Sequence, residues 1–206
     1  MNMRVQVRET MAARAPRADA RRNVAAILDA AQDCLLRDPH ATVAQIAQAA
    51  GVGRVTLYGH FATRAELMDA VFARVTEQAN AILDPIDTSG EPIAALTRLT
   101  SASWQVVHSF MGMLAAAESE LPAERIRSHH DRHLERLNDV VSRGRKAGVF
   151  RTDVPQQWLL STAYGLMHTA AADCAEGRLD EASAQHAVVA TILAAFTPPG
   201  TKVPAL

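Results

Sequence analysis

The sequence predicts an all-α protein, and three observations lead to that prediction. Aromatic residues make up only 4% of the 206-residue chain and alanine is abundant, so packing must rely on small and aliphatic side chains that favour helices. Apolar residues recur at helical spacing from about residue 21 to residue 196, without the alternation typical of strands. Capping residues, glycines and prolines divide this pattern into separate helices.

The chain begins with a predicted flexible basic arm over residues 1–20, which lack helical periodicity. A first helix is predicted over 21–37, where five apolar residues share one face: Val24, Ile27, Leu28, Ala31 and Leu35. Asp38 ends this helix, because a residue that precedes a proline avoids the helical region.

Two short helices are predicted next, joined by a tight turn. Thr42 opens a capping box at the start of a helix over 43–50, and Gly51 ends that helix in a left-handed conformation. A third helix is predicted over 54–60. Three helices with this glycine turn make a helix-turn-helix, whose last helix enters the major groove of DNA. The sequence alone allows Val55, and Leu57 or Tyr58, to face the core of this module.

The rest of the chain predicts longer helices. A second capping box, from Thr63 to Glu66, starts a helix over 65–83. The next helices are predicted over 92–117 and over 122–147, the latter with a break near Ser128. Asp153 is predicted to cap a helix that runs to about Glu176, with Gln156 in its capping box. The last helix is predicted over 180–196. The predicted domains are therefore a helix-turn-helix domain over 21–66, a helical domain over 67–197, and a disordered tail over 198–206.

Charge is distributed unevenly along the chain. Residues 1–75 contain ten arginines and seven acidic residues, a net charge of +3, whereas the whole chain has a net charge of −1. A basic N-terminal module suits a polyanionic partner. No apolar run is long enough to span a membrane, and Cys34 and Cys174 do not make a disulfide framework, so a cytoplasmic location is predicted.

The segment from Val43 to Leu67 resembles the signature of the tetracycline-repressor (TetR) family of regulators. The Ala-Gly-Val turn at 50–52, the Thr-Leu-Tyr triplet at 56–58, the His60-Phe61 pair and the Glu-Leu pair before Met68 all stand at the family's spacing. Beyond about residue 75 the resemblance is one of architecture, and residues 148–154 resemble the family's link into its last two helices.

The resemblance implies a DNA-contacting role for each of nine residues. Four would face bases: Arg54, Val55, Thr56 and Gly59. Four would contact phosphates: Thr42, Tyr58, His60 and Arg64. Gly53 starts the reading helix where the family often has serine or threonine, and Gly59 replaces a larger residue, so the reading face is sparse. Tyr58 could instead be a core aromatic, Arg64 a solvated residue, and the arm arginines Arg14, Arg17, Arg21 and Arg22 could be solvated without contacting DNA.

The resemblance also implies that the C-terminal helices form a homodimer and a ligand pocket. Broad apolar faces on the last two helices predict the dimer surface: Leu159, Ala163, Leu166, Ala170, Val188, Val189, Ile192 and Phe196. Aromatic, methionine and histidine side chains predict the pocket of an apolar ligand: Trp104, His108, Met111, Met113, Trp158, Tyr164, Met167 and His168. For both sets the alternative is ordinary burial in the core of one monomer.

Histidines cluster at His129, His130 and His133, which could bind a transition metal or form a solvated face. The predicted function is a DNA-binding transcriptional regulator without a cofactor, a repressor that a small, largely apolar ligand releases from its operator. The alternative is a regulator of the same fold that responds to a metal ion or a partner protein. An enzyme is not predicted, because no Ser-His-Asp ordering, phosphate-binding loop, catalytic carboxylate pair or HExxH motif occurs.

Overall fold

The computed structural model describes the backbone of residues 3–201 and the side chains of residues 19–201. Ten helices and no strand make up this described part of the chain, which confirms the all-α prediction. The chain divides into two compact units after Val71. The predicted boundary lay between residues 66 and 67. The observed boundary is later because the fourth helix continues through the predicted boundary, and its residues Leu67 and Met68 are buried before the observed division.

The first unit contains α1 (Met3–Arg37), α2 (Val43–Ala49), α3 (Arg54–His60) and the first two turns of α4 (Arg64–Leu83). α1 packs against α2, and α2 packs against α3. Three of the five residues predicted to face inward from α1 are fully buried: Ile27, Ala31 and Leu35. They pack in a unit whose α2 and α3 contribute the buried side chains Ile46, Ala47 and Leu57.

The first helix begins much earlier than the sequence predicted, at Met3 rather than near Arg21. The added segment is rich in alanine and arginine, which favour helix even where no apolar stripe is present. Periodicity could not reveal this part of α1. The side chains of Arg14 and Arg17 lie outside the described ones, as does the tail prediction for residues 202–206.

The second unit contains the rest of α4 and six further helices: α5 (Pro92–Ser109), α6 (Met111–Glu120), α7 (Ala123–Ser128), α8 (Asp131–Lys146), α9 (Gln156–Ala175) and α10 (Glu181–Phe196). α5 packs against α8, α9 and α10, and α9 also packs against α6, α8 and α10. Their shared core includes Leu96, Trp104, Val140, Phe150 and Phe196. Among the described residues, no helix is both long and apolar enough to cross a lipid bilayer.

One predicted helix is two helices in the structure, and the correction lies at Phe110. Its φ of −115° and ψ of 19° leave the helical region, and its N–H is shared between the carbonyls of Val106 and Val107. The apolar pattern continues through this break, so periodicity predicted one helix over 92–117. The break predicted near Ser128 is confirmed, because α7 ends there and α8 begins at Asp131.

The start of α9 also differs from the prediction. Asp153 does not cap the helix, because it accepts two hydrogen bonds from the guanidinium of Arg151, at 2.8 and 2.7 Å. The amide of Gln156 instead donates across to α8, to Asn138 Oδ1 at 2.6 Å and Ser142 Oγ at 2.7 Å. Asp153 therefore bonds within its own loop, and Gln156 joins α9 to α8, so the two do not form the predicted capping box.

The turn between α8 and α9 requires a glycine inside a helix. A Cβ at Gly144 would lie 2.0 Å from a ring carbon of Phe150, so the ring packs directly on the helix backbone. Phe150 also meets Phe196 edge to face, with ring centroids 6.2 Å apart. Gly148, with φ of +71°, turns the chain back so that Phe150 can reach this position.

We expect Gly144→Ala to lower the free energy of unfolding by about 1–3 kcal/mol, because the added methyl overlaps the ring of Phe150. The measurement is urea unfolding at one fixed protein concentration. The matched control is Gly165→Ala within α9, where a Cβ meets no atom within 4 Å of the same chain. The control should be neutral or stabilising by up to about 1 kcal/mol. Equal stabilities for the two variants would contradict this account of the turn.

Candidate functional site

The third helix of the first unit presents its N-terminal residues to solvent. α3 follows Gly53, whose extended backbone (φ −71°, ψ 150°) occupies the N-cap position without a side-chain cap. Arg54, Thr56 and Gly59 are exposed, and Leu57 is the one buried residue of the helix, at 1% exposure. A helix of two turns that is fixed along one side and free along the other can enter a DNA groove.

Val55 and Tyr58 correct part of the sequence interpretation. Val55 is 88% exposed, so it does not face the core, and the apolar methyl groups project beside Arg54 and Thr56. Tyr58 is 48% exposed, which leaves its hydroxyl available rather than buried. The base-facing role that the resemblance implied for Val55 is compatible with this exposure, and it stays a prediction.

Two more predicted DNA contacts flank the short helices. Thr42 is the N-cap of α2, its Oγ1 accepts from the N–H of Gln45, and the side chain of Gln45 accepts from the N–H of Thr42 at 2.7 Å. The predicted capping box is therefore confirmed. His60 is the last residue of α3 and is half-buried. Both lie at the ends of the two helices, where phosphate contacts are expected.

Arg64 has a structural contact that the sequence did not reveal. It stands at the start of α4, and its Nη1 donates to the carbonyl of Ala41 at 2.7 Å. This bond ties α4 to the loop before α2. A guanidinium has five N–H donors, and the bond to Ala41 uses one of them. Its predicted phosphate contact stays a prediction beside this observed one.

The second unit contains a cavity of about 90 Å³ between α4, α5, α8 and α9. Most of its wall is aliphatic, for example Leu83, Leu99 and Val107. The polar side chains in the wall are Thr76, Asn80, Thr100, Ser103, His130, His133, Tyr164 and His168. No aspartate, glutamate, lysine or arginine of the described residues lines it. An apolar wall with a few polar groups is typical of a small-molecule site.

The end of α4 is held against α8 by arginines, which keeps one wall of the cavity in place. Arg132 pairs with Asp84 at 2.6 Å. Arg136 donates to the carbonyl of Leu83, and to that of Ile86 at 2.7 Å. These carbonyls follow the last turn of α4, where a helix leaves acceptors unsatisfied and a positive charge is favourable.

One end of the cavity is a cluster of stacked rings. Tyr164 and His168 stack with centroids 4.1 Å apart, and His130 meets Tyr164 edge-on at 5.3 Å. Arg127 lies over the ring of Tyr164 at 5.3 Å. Burial, with the nearby carboxylate of Glu118, raises the pKa of Tyr164 to about 12, so its hydroxyl stays protonated and can donate.

His130 and His133 are neutral at physiological pH. Burial is the main cause, and it lowers the pKa of each imidazole to about 4. The charges of His168 and Arg127 lower the pKa of His130 further, and Arg136 does so for His133. They do not form the solvated face that the sequence suggested, because both belong to the cavity wall.

The comparisons with known proteins agree with the geometry of the first unit. Residues 27–71 match the family described as bacterial regulatory proteins, tetR family. The HTH-type transcriptional repressor LfrR of Mycolicibacterium smegmatis is 27% identical over 172 residues, which is 84% of this chain and 87% of LfrR. These matches support a TetR-family regulator.

Solved structures of TetR-family proteins share this fold over most of the chain. LfrR from Mycobacterium smegmatis, in complex with proflavine, has a TM-score of 0.63 at 24% identity and covers 85% of this chain and 96% of LfrR. FadR from Bacillus subtilis, in complex with stearoyl-CoA, has a TM-score of 0.68 at 16% identity, and the match covers 82% of this chain and 97% of FadR. The family and these relatives are transcription regulators rather than enzymes.

Within this TetR-family fold, only part of the predicted ligand set lines the cavity. Tyr164, Met167 and His168 do. Four predicted residues do not line the cavity. Trp104 is 1% exposed within the core, and His108 pairs with Glu181 at 3.1 Å. Met111 is half-buried at the start of α6, and Trp158 is 64% exposed. Met113, at 1% exposure, is also absent from the wall. Aromatic and methionine content alone could not separate cavity from core.

The sequence interpretation missed the most polar part of the wall. Asn80 is 8% exposed on α4, and Ser103 is 4% exposed on α5. A polar residue at an inward position of an apolar helix was the available signal for both. His130 and His133 were noted only as a surface or metal cluster. The helix break at 129–130 separates His129 from α8, and no group of three possible ligands for a metal ion occurs among the described residues.

The predicted dimer residues need a similar correction. All but Leu166 are buried in the core of a single chain, including Phe196 at 0% and Ile192 at 1% exposure. A side chain that one monomer already buries adds little further apolar area to a dimer. The exposed residues of α9 and α10 include Trp158, Thr169, Ala187 and Thr191.

We expect Arg64→Ala to lower the free energy of unfolding of the first unit by about 1–3 kcal/mol, since the Ala41 carbonyl would lose a charged donor. Chemical denaturation followed by circular dichroism measures the change. Arg54→Ala is the control, because Arg54 is exposed on α3, and it should stay within about 0.5 kcal/mol of the unmodified protein. An Arg64→Ala protein as stable as this control would contradict a structural role for the bond.

Stability should fall as the pH falls from about 6.5 toward 4. The unfolded chain protonates His130 and His133 near 6.5, whereas the folded chain resists protonation until about 4, so the unfolded state binds more protons in this window. Each histidine contributes up to about 1.4 kcal/mol per pH unit. Unfolding free energies measured across this range should show a flatter slope for His133→Phe. An unchanged slope would contradict burial as the cause.

Proposed function

We propose that this TetR-family protein is a cytoplasmic repressor that binds an operator as a homodimer and is released when a small, largely apolar ligand enters the cavity of the second unit. The observation that carries the proposal is the presence, in one chain, of an exposed reading helix and a separate apolar cavity with a few polar groups. Neither arrangement positions groups for bond-making chemistry.

The exposure pattern of α3 supports specific DNA contacts. Arg54 can make a bidentate contact with guanine, and the methyl groups of Val55 and Thr56 suit contact with a thymine methyl. Gly59 has open space where a Cβ would stand, so that part of the helix supplies no side chain for reading. Specificity therefore rests on the first turn of α3, supplemented by Tyr58 and His60 at phosphates.

A homodimer is supported by the DNA geometry and by the open faces of α9 and α10. Two identical reading helices enter successive major grooves when their centres are about 34–36 Å apart. The exposed Trp158 and the small side chains Thr169, Ala187 and Thr191 allow close approach of helices from a second copy. The dimer contact proposed here uses these outward faces in place of the core residues that the sequence suggested.

Ligand-induced release is supported by the cavity and its relation to α4. Four residues of α4 line the cavity: Thr76, Ala79, Asn80 and Leu83. The same helix begins at Arg64, which bonds to the loop before α2. LfrR and FadR bind proflavine and stearoyl-CoA in their complexes, which favours a small molecule over a metal ion or partner protein. The ligand must bind the DNA-free form more tightly, since only differential affinity shifts a population.

The test begins with selection of bound duplexes from random DNA by the full-length protein. We expect a two-fold symmetric sequence whose affinity falls steeply with salt, as phosphate contacts require. Binding that is equal for all sequences, or insensitive to salt, would contradict the repressor proposal. Adding small aromatic compounds to the complex then tests release.

Arg54→Ala should relax base preference at one position of each half-site, costing about 1–3 kcal/mol against the preferred base. Tyr58→Phe removes only the hydroxyl proposed to meet a phosphate, so it should weaken every sequence by a similar factor. Fluorescence anisotropy on a set of single-base operator variants measures both. Equal losses on all variants for Arg54→Ala would count against its role in reading bases.

A further inference from the structure

The wall of the cavity has two histidines whose hydrogen-bonding states can be deduced from their partners. His133 lies beside Ser103, with 3.0 Å between Nε2 and Oγ. The same Oγ lies 2.6 Å from the carbonyl oxygen of Leu99. A carbonyl oxygen only accepts, so the single hydroxyl proton of Ser103 must point toward Leu99. Ser103 Oγ can therefore only accept from His133, and Nε2 carries the proton.

This assignment leaves the lone pair of His133 on Nδ1. That atom is buried and has no hydrogen-bond partner within the described part of the chain. A buried acceptor without a donor is costly and uncommon in folded proteins. The molecule therefore holds an unused acceptor on a residue that lines its cavity.

The tautomer of His130, about one turn away, can be deduced in the same way. Its Nδ1 lies 2.8 Å from the carbonyl oxygen of Ile126, so Nδ1 must carry the proton and donate it. The lone pair of the neutral ring is then on Nε2. Because burial lowers the pKa of both rings to about 4, neither ring gains a second N–H at neutral pH.

Other polar groups in the wall do not favour a ligand that donates over one that accepts. The amide of Asn80 and the hydroxyl of Thr100 can each donate and accept. No fully charged side chain of the described residues lines the cavity, so a permanent charge on a ligand would lose its hydration without a partner. His168 likewise has an engaged donor, since its Nδ1 lies 3.1 Å from Oε1 of Glu118. Among the described residues that line the cavity, however, only His133 has a buried polar side-chain atom without a partner.

We propose that the cavity selects uncharged ligands that carry an N–H or O–H donor, which bonds to His133 Nδ1 or His130 Nε2. Compounds of equal shape that only accept hydrogen bonds bind more weakly, because they leave the buried lone pair of His133 unsatisfied. This inference rests on the proposed ligand site and specifies its chemistry. The expected ligands are phenols, neutral aromatic amines, or amides with a free N–H.

The test uses three small aromatic probes with the full-length protein at about pH 7.5, where both histidines are neutral. Phenol has a donor, fluorobenzene has neither a donor nor a strong acceptor, and pyridine has only an acceptor. Isothermal titration calorimetry should give a Kd for phenol at least about ten-fold lower than for the other two, the ratio expected for one hydrogen bond to a buried acceptor.

Variants of the two histidines show which ring accepts the hydrogen bond from phenol. His133→Phe and His130→Phe keep a ring in place and remove the acceptor, so the phenol preference should fall toward unity in one variant or in the double variant, while fluorobenzene binding is retained. The matched control is His40→Phe, because His40 is exposed in the first unit and does not line the cavity. It should keep the ten-fold preference.

Two results would overturn the inference. Equal affinity for all three probes, unchanged by the double variant, would leave a ligand site without donor selectivity. No binding of any probe would exclude this cavity as the site. Operator release is measured separately, so phenol that binds selectively without releasing DNA would support the ligand class and contradict only the release mechanism.

Discussion

A helix of two turns is not stable in water, so the reading surface of this protein depends on what holds α3 from behind. Leu57 is its one buried side chain, and Gly53 caps it without a side-chain hydrogen bond. The remaining support is indirect: α2 packs against both α1 and α3, and Arg64 ties the start of α4 to the loop before α2. Because the support comes from one side, the opposite side can be free for DNA.

The second unit solves a different physical problem, that of keeping polar groups inside an aliphatic bundle. Ser103 is satisfied by the carbonyl one turn before it and by His133, and His130 is satisfied by Ile126. Burial keeps both imidazoles neutral, which avoids an uncompensated charge. In the cavity wall, the buried polar atom that remains unsatisfied is Nδ1 of His133. Such an imperfection lowers stability, and it is expected where a ligand rather than the protein completes the bonding.

The sequence predicted the fold class and, to within one residue, the bounds of α2 and α3, because capping residues and glycines act locally. It allowed Val55 and Tyr58 to face the core, whereas the structure exposes both. It predicted poorly wherever the answer depended on partners distant in the chain. The apolar stripe that includes Val188 and Ile192 indicated a buried face, but periodicity cannot tell whether the same chain or a second copy covers it. The contact of Arg64 with Ala41 and the stacking of Tyr164 on His168 likewise join residues whose pairing no local pattern encodes.

The size of the cavity constrains how a ligand could act. At about 90 Å³ it is smaller than the cavity of about 150 Å³ that admits benzene in an engineered protein, so an aromatic ligand must displace part of the wall. α5, α8 and α9 share a core with α10 that includes no side chain of α4. The end of α4 is instead bonded by Arg132 and Arg136, which contact Asp84 and the carbonyls of Leu83 and Ile86. Hydrogen bonds at a helix end open at lower cost than a packed core. The α4 wall is therefore the one expected to yield, and a ligand that needs the extra space binds only the form in which α4 has moved.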